Sequence, residues 1–178
     1  AQTLSGGTIA GNLDGAGAVT VDTATTSLTG AGAITGATAI GIVAGGTLAS
    51  DGDGISDAAT VTNDGVFTLT GDETIGALQG GGTMNLTGAT LSTGVNDTST
   101  TFSGNATGTG GLIKQGTGTF TLSGTNTYTG DTEAADGTLI LSGGAAIADS
   151  VELIVSGPGV LQVDTAETVG ALNGSGNV

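Results

Sequence analysis

The chain has 178 residues and a net charge of −15, from sixteen acidic residues against a single lysine. Binding to nucleic acid or to an anionic membrane surface requires many basic side chains, so the sequence excludes both kinds of partner. With 37 glycines, three phenylalanines, no tryptophan and no cysteine, it cannot fill a wide core and carries no disulfide or thiol chemistry. The apolar residues are patterned rather than scattered, which favours a thin, repeated core over a glycine-rich disordered chain.

Along the first third of the chain, short apolar runs alternate with glycine-containing turns. The longest apolar run, Ala39–Ala44, contains a glycine and is far too short for a membrane helix, which needs about 20 apolar residues. The first residues carry no recognisable secretory leader, and they fit either a mature start or an arbitrary cut.

Three aspartates stand close together in Asp51–Asp57, which reads DGDGISD. Carboxylates at such spacing are potential ligands for a hard cation such as Ca²⁺. The segment lacks the EF-hand order of acidic residues with its closing glutamate, and the chain contains no Ca²⁺-binding nonapeptide. A solvated turn between strands is the favoured interpretation, and we predict no metal site and no cofactor.

Threonine pairs with one intervening residue occur at Thr60/Thr62, Thr68/Thr70 and Thr119/Thr121. Such pairs, if stacked on every coil of a solenoid, would form the flat threonine surface of an ice-binding protein. The pairs do not recur at every coil, and threonine is common in strands because it is β-branched. We therefore keep ice binding only as a remote alternative.

Residues 42–84 and 133–178 are two copies of one module. The sequence ETIGALQGGGTM at Glu73–Met84 returns as ETVGALNGSGNV at Glu167–Val178. Repetition of this kind is typical of solenoids, in which each coil buries its apolar side chains only against its neighbours. Because the second copy stops within what would be a strand, we expect 1–178 to be a single solenoid segment excerpted from a longer chain.

The densest succession of short strands and turns lies at residues 110–141, GGLIKQGTGTFTLSGTNTYTGDTEAADGTLIL. Polar and apolar residues alternate at Thr119–Leu122, and Gly137 introduces a second strand at 138–141. Phe120 and Leu139 lie nineteen positions apart. Two strands at this separation, with their apolar side chains on the same side, predict two successive coils of a solenoid.

A ladder of apolar residues at intervals of 17 to 22 extends this coil along the whole chain. We predict that its members stack inside one face of the solenoid, one per coil: Ile9, Leu28, Leu48, Phe67, Met84, Phe102, Phe120, Leu139, Leu161 and Val178. Coils that pair as parallel strands lie about 4.8 Å apart. The predicted fold is all-β, a parallel β-solenoid with about 17–22 residues per coil.

The pattern at 110–141 also resembles a known family motif. The segment is similar to the autotransporter-associated β-strand repeat at Gly110, Gly111, Leu112, Lys114, Gly116, Gly118, Thr119, LSG at 122–124, Asn126, Tyr128, Gly130, Thr132 and GTL at 137–139. Asp131 and the polar run EAAD at 133–136 depart from that pattern. The resemblance implies a right-handed parallel β-helix in the passenger domain of a Gram-negative type V secreted protein, exported to the cell surface.

These observations lead to a structural rather than an enzymatic prediction. We expect a β-helical stalk segment of a surface-anchored autotransporter or adhesin, with no nucleic acid, no membrane insertion, and either other copies of itself or host and abiotic surfaces as partners. A Ca²⁺- or glycan-binding solenoid is the alternative. A β-helix carbohydrate-active enzyme is less favoured, because polyanion lyases use basic residues and the only one here, Lys114, sits inside the repeat motif. We expect its stem to pack over the coil with its amine in water.

Overall fold

The computed structural model describes residues 2–9, 17–29, 34–149 and 151–178, with the side chain of Ile9 left out. The described residues form 21 short β-strands and no helix. The described strands lie on three faces that the chain visits in order, and every described strand pair is parallel. The parallel β-solenoid predicted from the sequence is therefore confirmed.

The first face contains two sheets that continue one another. One has the order β1-β3-β5-β7-β10 and the other the order β13-β16-β18-β20. A bridge between Gly80 and Phe102 joins them. Their strands are β1 (Gln2–Leu4), β3 (Gly17–Val21), β5 (Ala37–Ile42), β7 (Thr60–Asn63), β10 (Ala77–Gln79), β13 (Thr100–Phe102), β16 (Thr119–Leu122), β18 (Thr138–Leu141) and β20 (Val160–Val163).

The second and third faces are six-stranded sheets. The second face contains β2 (Gly7–Ile9), β4 (Thr25–Leu28), β6 (Thr47–Ser50), β8 (Val66–Leu69), β11 (Thr83–Leu86) and β14 (Asn105–Gly108). The third face contains β9 (Glu73–Ile75), β12 (Leu91–Thr93), β15 (Leu112–Lys114), β17 (Thr132–Ala134), β19 (Glu152–Val155) and β21 (Ala171–Gly174).

The strand register agrees with the predicted coil length. Paired residues lie between 17 and 22 positions apart, as in Leu78 with Val61 and Phe102 with Gly80. Phe120 pairs with Leu139, and Leu139 pairs with Leu161, as the sequence predicted. Inward residues alternate with outward ones along the longer strands, so apolar side chains stack coil upon coil.

The predicted ladder of stacked apolar residues is correct over parts of the chain, but the prediction that all its members lie on a single face is wrong. Its steps through Leu48, Phe67 and Met84 follow the second face. Met84 then pairs with Ala106, whereas Phe102 lies on the first face. The ladder changes face there because every coil carries inward apolar residues on each of its three faces, all with the same coil period. The spacing of apolar residues alone therefore does not show which face a residue belongs to.

Two further ladder steps are shifted by two residues. Leu28 pairs with Ser50 rather than Leu48, and Phe102 pairs with Leu122 rather than Phe120. A shift of two keeps a side chain on the same side of the sheet, so the hydrophobic pattern does not detect it.

The core is a narrow column of aliphatic residues with a few large side chains. Phe67, Phe102, Phe120 and Tyr128 are almost completely buried, in agreement with the scarcity of aromatics in the sequence. Within the described part of the chain, no helix is long and apolar enough to cross a membrane.

Glycine is required where backbones of successive coils touch at the corners. A Cβ atom on Gly124 would lie 1.7 Å from the carbonyl oxygen of Gly104 one coil away. At Gly116, φ is +68°, a conformation that other residues rarely adopt. The glycine content thus reflects close backbone stacking as well as turn conformation.

Candidate functional site

The repeat at 110–141 places Lys114 inside the solenoid. Lys114 is the last residue of β15, and its side chain is fully buried. Its ammonium group donates to three backbone carbonyls: Gln115 at 2.5 Å, Gly116 at 2.7 Å and Asp136, one coil further on, at 3.3 Å. The expectation that the amine would reach water is therefore wrong. The alternation of the strand turns this residue inward, and the carbonyls replace its hydration.

Neighbouring coils leave room for this cation. Thr93 and Ala134 occupy the same position as Lys114 in the coils on either side. Gly94 lies beside the ammonium group, where a Cβ atom would be 3.2 Å from Nζ. Small residues around one long side chain let it run through the core to the corner, where carbonyl oxygens converge.

Burial lowers the pKa of Lys114, because the core disfavours its charged form, while the nearby carboxylates of Asp136 and Asp97 partly oppose the shift. Asp97 itself lies at the same corner and accepts a hydrogen bond from the Thr117 backbone, which lowers its own pKa. Lys114 therefore ties two coils together, because its ammonium group donates to carbonyls of both coils.

Two other members of the repeat motif are also buried. The Tyr128 hydroxyl lies 2.5 Å from the Thr132 hydroxyl oxygen, and burial raises the pKa of Tyr128 well above its usual value. The Asn126 side chain accepts a hydrogen bond from the Ala106 backbone at 2.7 Å and donates one to the Ala146 carbonyl at 2.7 Å. Asn126 thus connects the coil before it with the coil after it.

Two glutamates at equivalent positions of the internal repeat also connect neighbouring coils through hydrogen bonds to the backbone. Glu73 is buried and accepts hydrogen bonds from the backbones of Gly54 and Ile55 and from the Ser50 hydroxyl. Glu167 accepts hydrogen bonds from two consecutive backbone amides one coil earlier, at residues 146 and 147. Burial raises the pKa of Glu73, and the hydrogen bonds only partly offset this effect.

Sequence reasoning found the repeat that contains Glu73 but did not assign its role. A usable signal was present in the sequence, since Glu73 and Ile75 flank Thr74 at the period of a strand, and the structure turns both of them inward. The matching segments after the two glutamates nevertheless lie on different sides: Ala77–Gln79 on the first face and Ala171–Gly174 on the third.

The three aspartates of Asp51–Asp57 are exposed, whereas Gly54 and Ile55 between them are buried. Asp53 has a φ of 52°, and the backbone amides of Gly54 and Ile55 in this turn point to Glu73. Within the described ranges, no group of three or more acidic residues is arranged to hold a metal ion.

The predicted threonine pairs do not stack upon one another. Thr62 lies on the first face beside Gln79, whose amide donates to it at 2.9 Å. Thr68 lies on the second face beside Asn85, whose side-chain amide donates to the Thr68 hydroxyl oxygen at 3.3 Å. Amides therefore adjoin threonine at these two pairs, whereas Thr121 of the third pair stacks on Thr101. An open concavity of about 680 Å³ on the first face is lined by such residues, including Thr101 and Thr121.

These features define a three-sided β-solenoid stabilised internally by a repeat with buried polar residues. Residues 112–141 match the family model described as passenger-associated-transport-repeat. This match confirms the resemblance to autotransporter passengers, and it covers both the strand that carries Lys114 and the segment between β16 and β17 that carries Asn126 and Tyr128.

Similar proteins of known type are also autotransporters. The chain is 39% identical over 122 residues, 60% of its length, to the adhesin BmaC autotransporter of Brucella suis biovar 1. It is 38% identical over 85 residues, 48% of its length, to the autotransporter lipoprotein NalP of Neisseria meningitidis serogroup B. The aligned parts span 3% and 8% of those proteins. No solved structure matches the chain significantly.

Proposed function

We propose that this chain is a stalk segment of an autotransporter passenger, carried on the outside of a Gram-negative bacterium. The observation that carries the proposal is the combination of a stack of parallel coils along the described residues with a passenger-associated repeat at 112–141. Each coil contacts mainly its neighbours, so length can be added without changing the core. Such a rod projects whatever is attached to its far end.

The same architecture supports a role in export. Each coil that emerges can pair at once with the coil already folded, because all strand pairs are parallel and lie no more than 22 residues apart. The absence of cysteine means that no disulfide forms before transport. Folding of this kind outside the membrane would favour outward movement of the chain.

A structural role is proposed in preference to catalysis. Acidic side chains occur at all three corners, such as Asp64 between the first and second faces, Asp72 between the second and third, and Asp97 between the third and first. Glycoside hydrolysis requires two carboxyl groups facing one another across a substrate. The carboxyl group of Glu73, which has a raised pKa, is instead occupied by three hydrogen-bond donors from the protein.

Adhesion and self-association are extensions of this proposal. One relative is named an adhesin, and the outward faces here are rich in hydroxyl and amide groups. Sedimentation of the purified chain over a range of concentrations tests self-association. A strictly monomeric chain that binds no surface would remove this extension and leave the stalk role intact.

Display on cells tests the main proposal. The chain is placed between an N-terminal epitope tag and an autotransporter barrel, and the tag is detected on intact cells. We expect surface staining and a protease-resistant passenger. Phe67→Asp, which places a charge in the core, should reduce resistance, whereas Thr121→Ser on the outward first face should not. Staining that appears only after permeabilisation would contradict the proposal.

A further inference from the structure

A groove runs along the corner between the second and third faces. Two neighbouring cavities of about 310 and 230 Å³ share Thr90 and Ile113 in their walls, so they form one continuous depression. Its middle is shaped by Gly110 and Gly111, where the corner carries no side chain. A Cβ on Gly110 would lie 1.9 Å from the Ala89 carbonyl oxygen, so the close stacking of coils excludes a larger residue there.

The walls of the groove carry two exposed aspartates, an aliphatic residue between them and a second aliphatic residue beyond one of them. Ile113 and Ile154 are partly exposed on the outward side of the third face, with Glu133 between them in the stack. Asp72 and Asp131 lie along the corner with exposed side chains; Ile113 lies in a coil between them, and Ile154 lies one coil beyond Asp131.

The carboxylates of this groove have no cation of their own. The chain contains one lysine and no other basic side chain, and Lys114 is buried against three backbone carbonyls. Asp72 accepts a hydrogen bond from the Thr90 backbone, and Glu133 accepts one from the Ser156 hydroxyl, so both are positioned while their charge stays uncompensated. A partner that enters the groove must supply the positive charge.

The spacing of the groove indicates the shape of that partner. Successive coils place Asp72, Thr90, Gly111 and Asp131 along the corner, since Glu73 is bonded to Thr90, Leu91 to Gly111 and Leu112 to Asp131. Three coil steps of about 4.8 Å separate the two aspartates by roughly 14 Å. An extended peptide rises about 3.3 Å per residue, so side chains four residues apart, on the same side of it, span about 13 Å.

We propose that this groove binds an extended basic segment of another protein, with two lysine or arginine residues four positions apart and an aliphatic residue midway. The basic head groups lie at Asp72 and Asp131. The central aliphatic residue packs against Ile113, the stem of the basic residue at Asp131 packs against Ile154, and Glu133 adds negative charge to the wall. This site is separate from the stalk role and does not depend on it.

The test uses a labelled peptide in fluorescence anisotropy with the purified chain. The probe is STKTLTKTS, in which lysines four apart flank a central leucine, and the comparison is the rearranged STKTKTLTS. We expect the first peptide to bind more tightly, with affinity falling as salt is raised, because salt screens exposed charges. Equal binding of the two peptides, or no binding at low salt, would overturn the proposal.

Variants locate the site on the molecule. Asp131→Asn and Asp72→Asn should each weaken binding by about two- to fivefold, the usual range for exposed ion pairs. Asp64→Asn is the matched control, since Asp64 also accepts a backbone hydrogen bond but lies between the first and second faces. If Asp64→Asn weakened peptide binding equally, the peptide would be attracted by net charge alone. Peptide binding that is insensitive to Ile113→Thr would mean the same. Either result rejects the groove as the binding site.

Calcium chloride and spermidine are the remaining comparisons. If millimolar Ca²⁺ or spermidine displaces the peptide no better than an equal ionic strength of sodium chloride, the groove is specific for the extended segment. Displacement by either at far lower ionic strength would assign the two aspartates to small cations and overturn the proposed occupant.

Discussion

Individual polar side chains inside the solenoid hold successive coils together. Lys114, Asn126 and Glu73 each bond to backbone groups of a neighbouring coil. A buried polar group is costly unless it is hydrogen-bonded, and removal of one partner leaves the other unsatisfied. These residues should therefore matter for stability more than their small number suggests.

Lys114→Met is expected to lower the free energy of unfolding by about 2–4 kcal/mol, because three carbonyls lose a charged donor in a buried corner. Urea denaturation followed by far-UV circular dichroism measures the loss. Ile113→Val, on the outward side of the same strand, is the control and should change stability little. A Lys114→Met protein as stable as the control would show that the carbonyls need no cation.

Glu73 gives a pH dependence of defined sign. Because burial raises the pKa of Glu73 in the folded protein, the folded state holds a proton at pH values where the unfolded chain has lost it. Its contribution to the free energy of unfolding therefore increases as pH falls through the folded pKa towards the unfolded value of about 4.5. Glu73→Gln should remove this part of the increase.

Denaturant unfolding between pH 7 and pH 4.5 checks this expectation. Glu152→Gln is the matched control, since it removes the same charge from a less buried carboxylate that accepts a hydrogen bond from Asn173. Because both variants change the net charge equally, general repulsion among the acids affects them alike. Identical slopes for the two variants would contradict a special role of Glu73.

At the level of strands and corners, glycine sets how closely coils approach. Gly124 stands directly against the backbone of Gly104, whereas a Cβ on Gly81 would meet nothing closer than the Ser103 hydroxyl oxygen at 3.6 Å. Neither Gly124 nor Gly81 has a positive φ, so the comparison isolates steric contact from turn conformation.

Gly124→Ala is expected to destabilise the chain by about 1–3 kcal/mol through overpacking at the corner, while Gly81→Ala should be nearly neutral. Thermal melting of the two variants under the same conditions measures the difference. Similar melting temperatures would indicate that the coils can separate locally at little cost.

At the scale of the whole molecule, stability should not depend on divalent metal. The acidic turn at Asp51–Asp57 is occupied in bonding between coils, with its amides directed at Glu73. We expect a cooperative β-type melting transition that is the same in Ca²⁺ and in EDTA. A large loss of stability in EDTA would instead identify a metal site in this turn and favour the ligand-binding alternative.

Much of this architecture follows from the sequence alone. The alternation at Thr119–Leu122 and the recurrence of apolar residues every 17 to 22 positions predict parallel coils, because inward side chains must stack to be buried in a chain with so few large residues. The repeat motif around Lys114 likewise identified the relationship to autotransporter passengers, since its glycines and polar residues occur at fixed spacing.

The tertiary structure alone decided which side of the solenoid each strand occupies and where the polar residues point. Three sides share one hydrophobic period, so Met84 and Phe102 look equivalent in sequence although they lie on different faces. Lys114 looks like a surface residue until the carbonyls of two coils are brought around its ammonium group. The physical reason is the same in both cases: local patterns encode whether a side chain points inward, whereas its partners are set by coils about twenty residues away.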